Sequence, residues 1–185
     1  MTDQFIKISP NEFKNAFSNE VIDKEKQLLS EWSNWKKYTY LMLGTKREPG
    51  ILSEVAKKLG LNYFKDYWTL DAIFYKEKDI VNFDKKFTFA KYLAVVIEHE
   101  NAIETSFEEI NKLTIFNSPL KVLITYPVKD INNYLTKYSE IVSNGDVFND
   151  ISNLRRQMVI FGTKNQDSIK WGFYIYRNGN FEDLH

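Results

Sequence analysis

The most constraining feature of the chain is the run Tyr92-Leu93-Ala94-Val95-Val96-Ile97, which passes without interruption into Glu98-His99-Glu100. Six consecutive apolar residues are too few for a helix of ordinary length. They match a strand buried on both faces, as in the middle of a sheet covered by helices. A second run, Leu120 to Tyr126, has the same character and is closed by Pro127. Between them, Phe107, Ile110 and Leu113 recur at helical spacing, with Thr105-Ser106-Phe107-Glu108 placed as a capping box before them. Strand, helix, strand in this order belongs to a mixed sheet covered by helices.

The rest of the chain extends this unit. Residues 11–37 read as one long helix, with Phe13, Phe17, Val21, Leu28, Trp32 and Trp35 at helical spacing. Ile51 to Leu59 reads as a short helix ended by Gly60. Tyr67 to Tyr75 is rich in β-formers and reads as a strand, followed by a charged hairpin connection over 76–86 and a strand over 87–97. Asp130 to Val142 reads as a helix ended by Asn144-Gly145. Met158 to Gly162 and Lys170 to Tyr176 read as strands, and Asn178-Gly179 as a two-residue hairpin before a last strand. No repeat or Pro/Gly-rich linker divides the 185 residues. The expectation is a single α/β domain over 1–185: a mixed β-sheet flanked by helices, with a core near 51–126. A chain of this length buries roughly 70% of the surface it exposes when unfolded, which suffices without staples.

Composition excludes several chemistries. With no cysteine there is no disulfide, thiolate metal site or cysteine nucleophile, which fits a reducing, cytoplasmic setting. Only His99 and His185 are available, too few for a multi-histidine zinc site. The Gly-rich phosphate loops and the Gly-x-Ser-x-Gly elbow are missing. Met1 to Lys7 is polar and unlike a signal peptide, and no apolar run reaches membrane-spanning length, so no membrane partner is expected. Lys+Arg and Asp+Glu both number 25, so any nucleic-acid surface must be local. Lys36-Lys37, Lys85-Lys86 and Arg155-Arg156 are short basic pairs that could contact phosphates or simply face solvent.

The acids remain. Glu98 and Glu100 are two apart at the end of the most apolar strand, so both project from one face. Asp71 interrupts the neighbouring strand in the same way. If the two strands pair, Asp71, Glu98 and Glu100, with a carbonyl such as that of His99, would form an oxygen shell suited to Mg²⁺ or Mn²⁺. Ordinary solvation of the three acids is the competing reading, with Glu100 favouring the start of the next helix.

Trp68-Thr69-Leu70-Asp71, then Val95-Val96-Ile97-Glu98-His99-Glu100, then the helix 107–113 and the strand 120–126 resemble the core of the PD-(D/E)xK, or restriction-endonuclease-like, nuclease superfamily. The resemblance spans about 51–126 and rests on order and context, since the motif is short. It implies that Asp71 and Glu98 bind Mg²⁺ or Mn²⁺ and that the chain hydrolyses phosphodiesters, as a DNA endonuclease, with homodimerisation as one way to cut both strands. Two departures stand out. No proline precedes Asp71, and Glu100 stands where the superfamily usually has lysine. Some members carry Glu-x-Glu there; otherwise Lys112, or more weakly His99, would supply the positive charge. Glu20 or Glu25 of the first helix could join such a site. The competing expectation is a non-catalytic nucleic-acid-binding or protein-interaction module that keeps the fold.

Overall fold

A computed structural model describes residues 6–83, 88–148, 150–151 and 156–185. Lys85, Lys86, Phe87 and Arg155, singled out above, lie outside these residues.

The two apolar runs form the centre of a seven-stranded mixed sheet. The first supplies β5 (Val95–Glu100) and the second β6 (Leu120–Thr125), which pair in parallel from Val95↔Leu120 to Glu100↔Thr125. With β1 (Asn62–Tyr67), β2 (Leu70–Tyr75), β7 (Arg156–Lys164), β8 (Ile169–Arg177) and β9 (Asn180–Asp183), the spatial order is β1-β2-β5-β6-β7-β8-β9. The pairs β5/β6 and β6/β7 are parallel; the other neighbours are antiparallel. The crossovers run through α5 (Ser106–Ile115) and α6 (Ile131–Gly145). Because β5, β6 and β7 advance in one direction, right-handed connections put both helices on the same face. There Ile110, Leu113, Leu135, Tyr138 and Val142 pack on Val96, Leu123 and Val159. The opposite face carries Val95, Ile97, Val122 and Ile160, covered by α1 (Pro10–Asp23), α2 (Glu25–Glu31), α3 (Trp35–Leu43) and α4 (Ile51–Lys58). Val95–Ile97 of β5 and Val122–Ile124 of β6 are therefore apolar at successive positions because both faces are roofed. Each fully buried aliphatic side chain contributes about 1.5–3 kcal/mol.

Several local expectations need correction. The helix read over 11–37 is three helices. Lys24 leaves helical geometry (φ −105°, ψ 5°), and Asn34 starts α3 by accepting from the Lys37 amide at 3.2 Å. An asparagine side chain that satisfies an orphan amide favours a helix start over a helix interior. The capping box at Thr105 does not form, because the Thr105 hydroxyl donates to the Ala102 carbonyl at 2.9 Å. A complete box caps α1 instead: the Ser9 hydroxyl accepts from the Glu12 amide at 3.2 Å, and the Glu12 carboxylate accepts from the Ser9 amide at 2.8 Å. The strand read over 67–75 begins at Leu70; Trp68 and Thr69 form the turn of a hairpin whose first strand, β1, was not foreseen. The strand read over 87–97 is divided. Its described front part is β4 (Thr88–Ala90), which pairs with β3 (Ile80–Asn82) in a small separate sheet behind a 3₁₀ turn at Glu77–Asp79. Gly60 (φ +67°) ends α4 as expected. Asn178 and Gly179 take φ +49° and +89°, the left-handed pair that a two-residue hairpin requires.

Candidate functional site: an acid and lysine cluster between β2, β5 and α5

β2 and β5 pair through Phe74↔Val95, Ile73↔Val96 and Ala72↔Ile97, and the regular ladder stops there. One position further, side chains replace the backbone bonds. The Asp71 carboxylate accepts from the His99 amide at 2.8 Å, and the Asp71 amide donates to a Glu98 carboxylate oxygen at 3.4 Å. Asp71 and Glu98 are thus brought together across the strand pair, as the sequence predicted. The cause is local: each carboxylate satisfies an amide that the departing partner strand leaves open.

α5 adds the cation. It runs back over this face from the end of β5 and sets Lys112 above the strand ends. The Lys112 ammonium donates to the Glu98 carboxylate at 2.9 Å, to the Thr69 carbonyl at 3.1 Å, and to Glu109 one turn earlier on the same helix. An ammonium has three donors, and all three find acceptors. Lys112 therefore joins the site, and of Lys112 and His99 it is the one whose side chain lies beside the acids. Glu109 was not foreseen. Its spacing three residues before Lys112 was the available signal, since such pairs share a helix face.

Three carboxylates thus face one ammonium. Burial pushes the Glu98 carboxyl up to about 8; the Lys112 hydrogen bond opposes this, and the charges of Asp71 and Glu109 add to it. The Asp71 carboxyl is raised as well, first by burial, against the lowering effect of the His99 amide. Burial works against the charge of Lys112, but its bonds to Glu109 and Glu98 outweigh that, so its pKa lies above the ordinary value. Glu98 is only 1% exposed, so its protonation state is set inside the protein.

Other expected site residues lie elsewhere. The His99 ring points to the opposite face of the sheet. There its Nε2 bonds the Tyr126 hydroxyl at 2.8 Å, and its ring lies parallel to that of Tyr38. Burial drops its pKa to about 3, so the ring is neutral, and among the described residues its buried Nδ1 has no hydrogen-bond partner. His99 serves the acids through its backbone amide alone. The reading of its side chain as a source of positive charge is corrected by strand alternation and burial. Glu100 shares the face of Glu98 but folds into the turn after β5, where its carboxylate accepts from the Ala102 amide at 2.8 Å. It borders a cleft of about 500 Å³, beside Trp32, Trp35 and Tyr126. Among the described residues, no group of three or more His, Asp or Glu is placed to hold a metal ion, so the three-acid shell of Asp71, Glu98 and Glu100 does not assemble. Glu20 pairs with Lys58 at 2.6 Å and Glu25 accepts from the Ile169 amide at 3.0 Å; both belong to the helical layer on the far side of the sheet. Among the described residues, no helix is long and apolar enough to cross a membrane.

No protein-family model matches the chain, and a search of curated proteins returns no significant match. Among solved structures, the chain is similar to the central domain of yeast acetyl-CoA carboxylase, at 9% identity and a TM-score of 0.42. The match covers 78% of this chain and 27% of that one. A likeness this loose carries no argument about fold or chemistry.

Proposed function

We propose that the chain is a metal-dependent phosphodiesterase of restriction-endonuclease-like type, acting on DNA, with Asp71, Glu98 and Lys112 as its working residues. The observation that carries this reading is the meeting of Asp71 and Glu98 at the end of the β2/β5 ladder, with Lys112 beside them. The element order α4-β1-β2-β5-α5-β6, with β5 and β6 parallel, agrees with the order on which the family resemblance rests.

The residues present fit one divalent cation by charge. Asp71, Glu98 and Glu109 outnumber Lys112 by two, and burial first, with the charges of Asp71 and Glu109 added to it, holds Glu98 towards its protonated form. A divalent cation, taken up with loss of that proton, would balance the group. Asp71 and Glu98 would hold Mg²⁺ or Mn²⁺, which when bound supplies an activated water and polarises the phosphodiester. The His99 amide fixes the carboxylate of Asp71 before any ligand arrives. Lys112, kept charged by its two carboxylate partners, contributes positive charge to the developing phosphorane rather than a proton. It stands in for the lysine that Glu100 displaces from the strand.

A second reading has its own observation. All three Lys112 donors are engaged and Glu98 is buried, as in an ionic clamp that ties the β1/β2 hairpin to α5 with no catalysis. The test is degradation of plasmid and heat-denatured DNA with Mg²⁺ or Mn²⁺, comparing the wild type with Asp71→Asn and Lys112→Ala. Metal-dependent cleavage lost in both variants supports the nuclease reading. Cleavage that persists in Asp71→Asn refutes this site. Folded but inert protein under every condition favours the clamp.

A further inference from the structure

The β1/β2 hairpin turns through two residues, Trp68 and Thr69, with Tyr67 and Leu70 as the closing pair. Its first turn position takes φ +57°. In a two-residue loop that place favours glycine, and a bulky side chain there is an outlier. Trp68 nevertheless occupies it. The residue is not repaid by burial, since it is 74% exposed. It is nevertheless held in a defined attitude. The Trp68 indole stacks on the Tyr67 ring with centroids 6.1 Å apart and planes 24° from parallel. Tyr67 is pinned from behind, its hydroxyl accepting from the Ala90 amide at 3.1 Å, and Phe64 meets the Tyr67 ring edge-on. The next residue after Trp68 is Thr69, whose carbonyl receives the Lys112 ammonium. A pre-stacked indole with much of its surface open is therefore wired, one residue away, to the acid and lysine cluster.

We propose that Trp68 is a stacking platform for an unpaired base of single-stranded nucleic acid, placed to hold the strand beside the Asp71–Glu98–Lys112 site; the choice of nucleic acid rests on the phosphodiesterase reading of that site. Stacking on an aromatic ring is indifferent to base identity and needs one free ring face, which this geometry offers. The alternatives fit less well. Asp66, exposed just before the turn, is a charge that insertion into a lipid surface would have to bury. One indole flanked by charges also gives an apolar patch well short of a stable protein interface.

The test is fluorescence anisotropy with labelled oligo(dT) in EDTA, using wild type, Trp68→Asn and Trp68→Phe, each also in an Asp71→Asn background. Asparagine tolerates the left-handed backbone but offers no ring, so Trp68→Asn is expected to keep or gain thermal stability while affinity falls about tenfold or more, the order expected for losing one base stack. Trp68→Phe is expected to retain most of the affinity. Unchanged binding in Trp68→Asn, binding as weak in Trp68→Phe as in Trp68→Asn, or a wild type that does not bind the oligonucleotide overturns the proposal. So does Trp68-dependent sedimentation with anionic vesicles in place of nucleic-acid binding. Because the assay holds no metal, a wild type that binds no metal in a separate titration would refute the phosphodiesterase reading while leaving a Trp68-dependent affinity intact.

Discussion

Replacing Glu98 by glutamine should change how stability depends on pH, and the structure fixes the sign. Glu98 has an ordinary value of 4.5 and is pushed up to about 8 in the fold, chiefly by burial. Between these values the unfolded chain has lost the proton while the native protein keeps it. Stability therefore falls as pH rises, by about 1.4 kcal/mol per pH unit at most, and levels off above the folded pKa. Over the whole window this single carboxyl accounts for ~5 kcal/mol. Glutamine preserves the shape and can still accept from Lys112, but it does not titrate. Urea unfolding of wild type and Glu98→Gln from pH 4 to pH 9 should show the variant gaining on the wild type steadily between about pH 4.5 and 8, with similar m-values. A stability difference that does not vary with pH would refute the reasoning. A variant that loses ground as pH rises would refute it more strongly, because that is the signature of a carboxylate held ionised by Lys112.

Other perturbations test the surroundings of the site. Lys112→Met should cost about 1–3 kcal/mol, below the figure for a fully buried pair because Lys112 is partly exposed, and the loss should grow from pH 6 to pH 9 as Glu98 becomes harder to keep neutral; urea titrations at the two pH values measure it. Gly162→Ala would place a methyl carbon 2.8 Å from the Tyr126 ring and 2.9 Å from Trp171, so it should cost about 1–3 kcal/mol and alter the near-UV circular dichroism as Tyr126 is pushed from His99. Ser9→Ala removes the cap of α1 and should cost about 1 kcal/mol in the same unfolding assay, leaving metal binding unchanged.

The parts of the molecule that were legible in the sequence are those where both faces of an element are buried. Val95 to Ile97 and Val122 to Ile124 announce their strands because no solvent interrupts the apolar pattern, and Asp71 and Glu98 were conspicuous because they break it. β1 was missed for the opposite reason: as an edge strand it is half-exposed along its length, and Asn62-Tyr63-Phe64-Lys65-Asp66-Tyr67 carries little apolar signal. The break of the first helix at Lys24 also had no strong marker, since Asp23 and Lys24 are ordinary helix-surface residues. At the site, pairing and alternation correctly joined Asp71 to Glu98. They did not foretell that Glu100 would cap its own turn, because a side chain at the last strand position is within reach of the amides of the turn that follows. Lys112 was within reach of sequence reasoning as a helix residue following the strand, whereas the Thr69 carbonyl depended on a turn that the strand reading had overrun.

The most direct test of the account is Mn²⁺ binding by titration calorimetry near neutral pH, for wild type, Asp71→Asn and Glu98→Gln. The account predicts binding by the wild type, with proton release visible as a dependence on buffer ionisation heat, and loss of that binding in both variants. Absence of binding by the wild type, with single-stranded DNA also present, would contradict it and leave the cluster as an ionic clamp, as would binding that survives both substitutions.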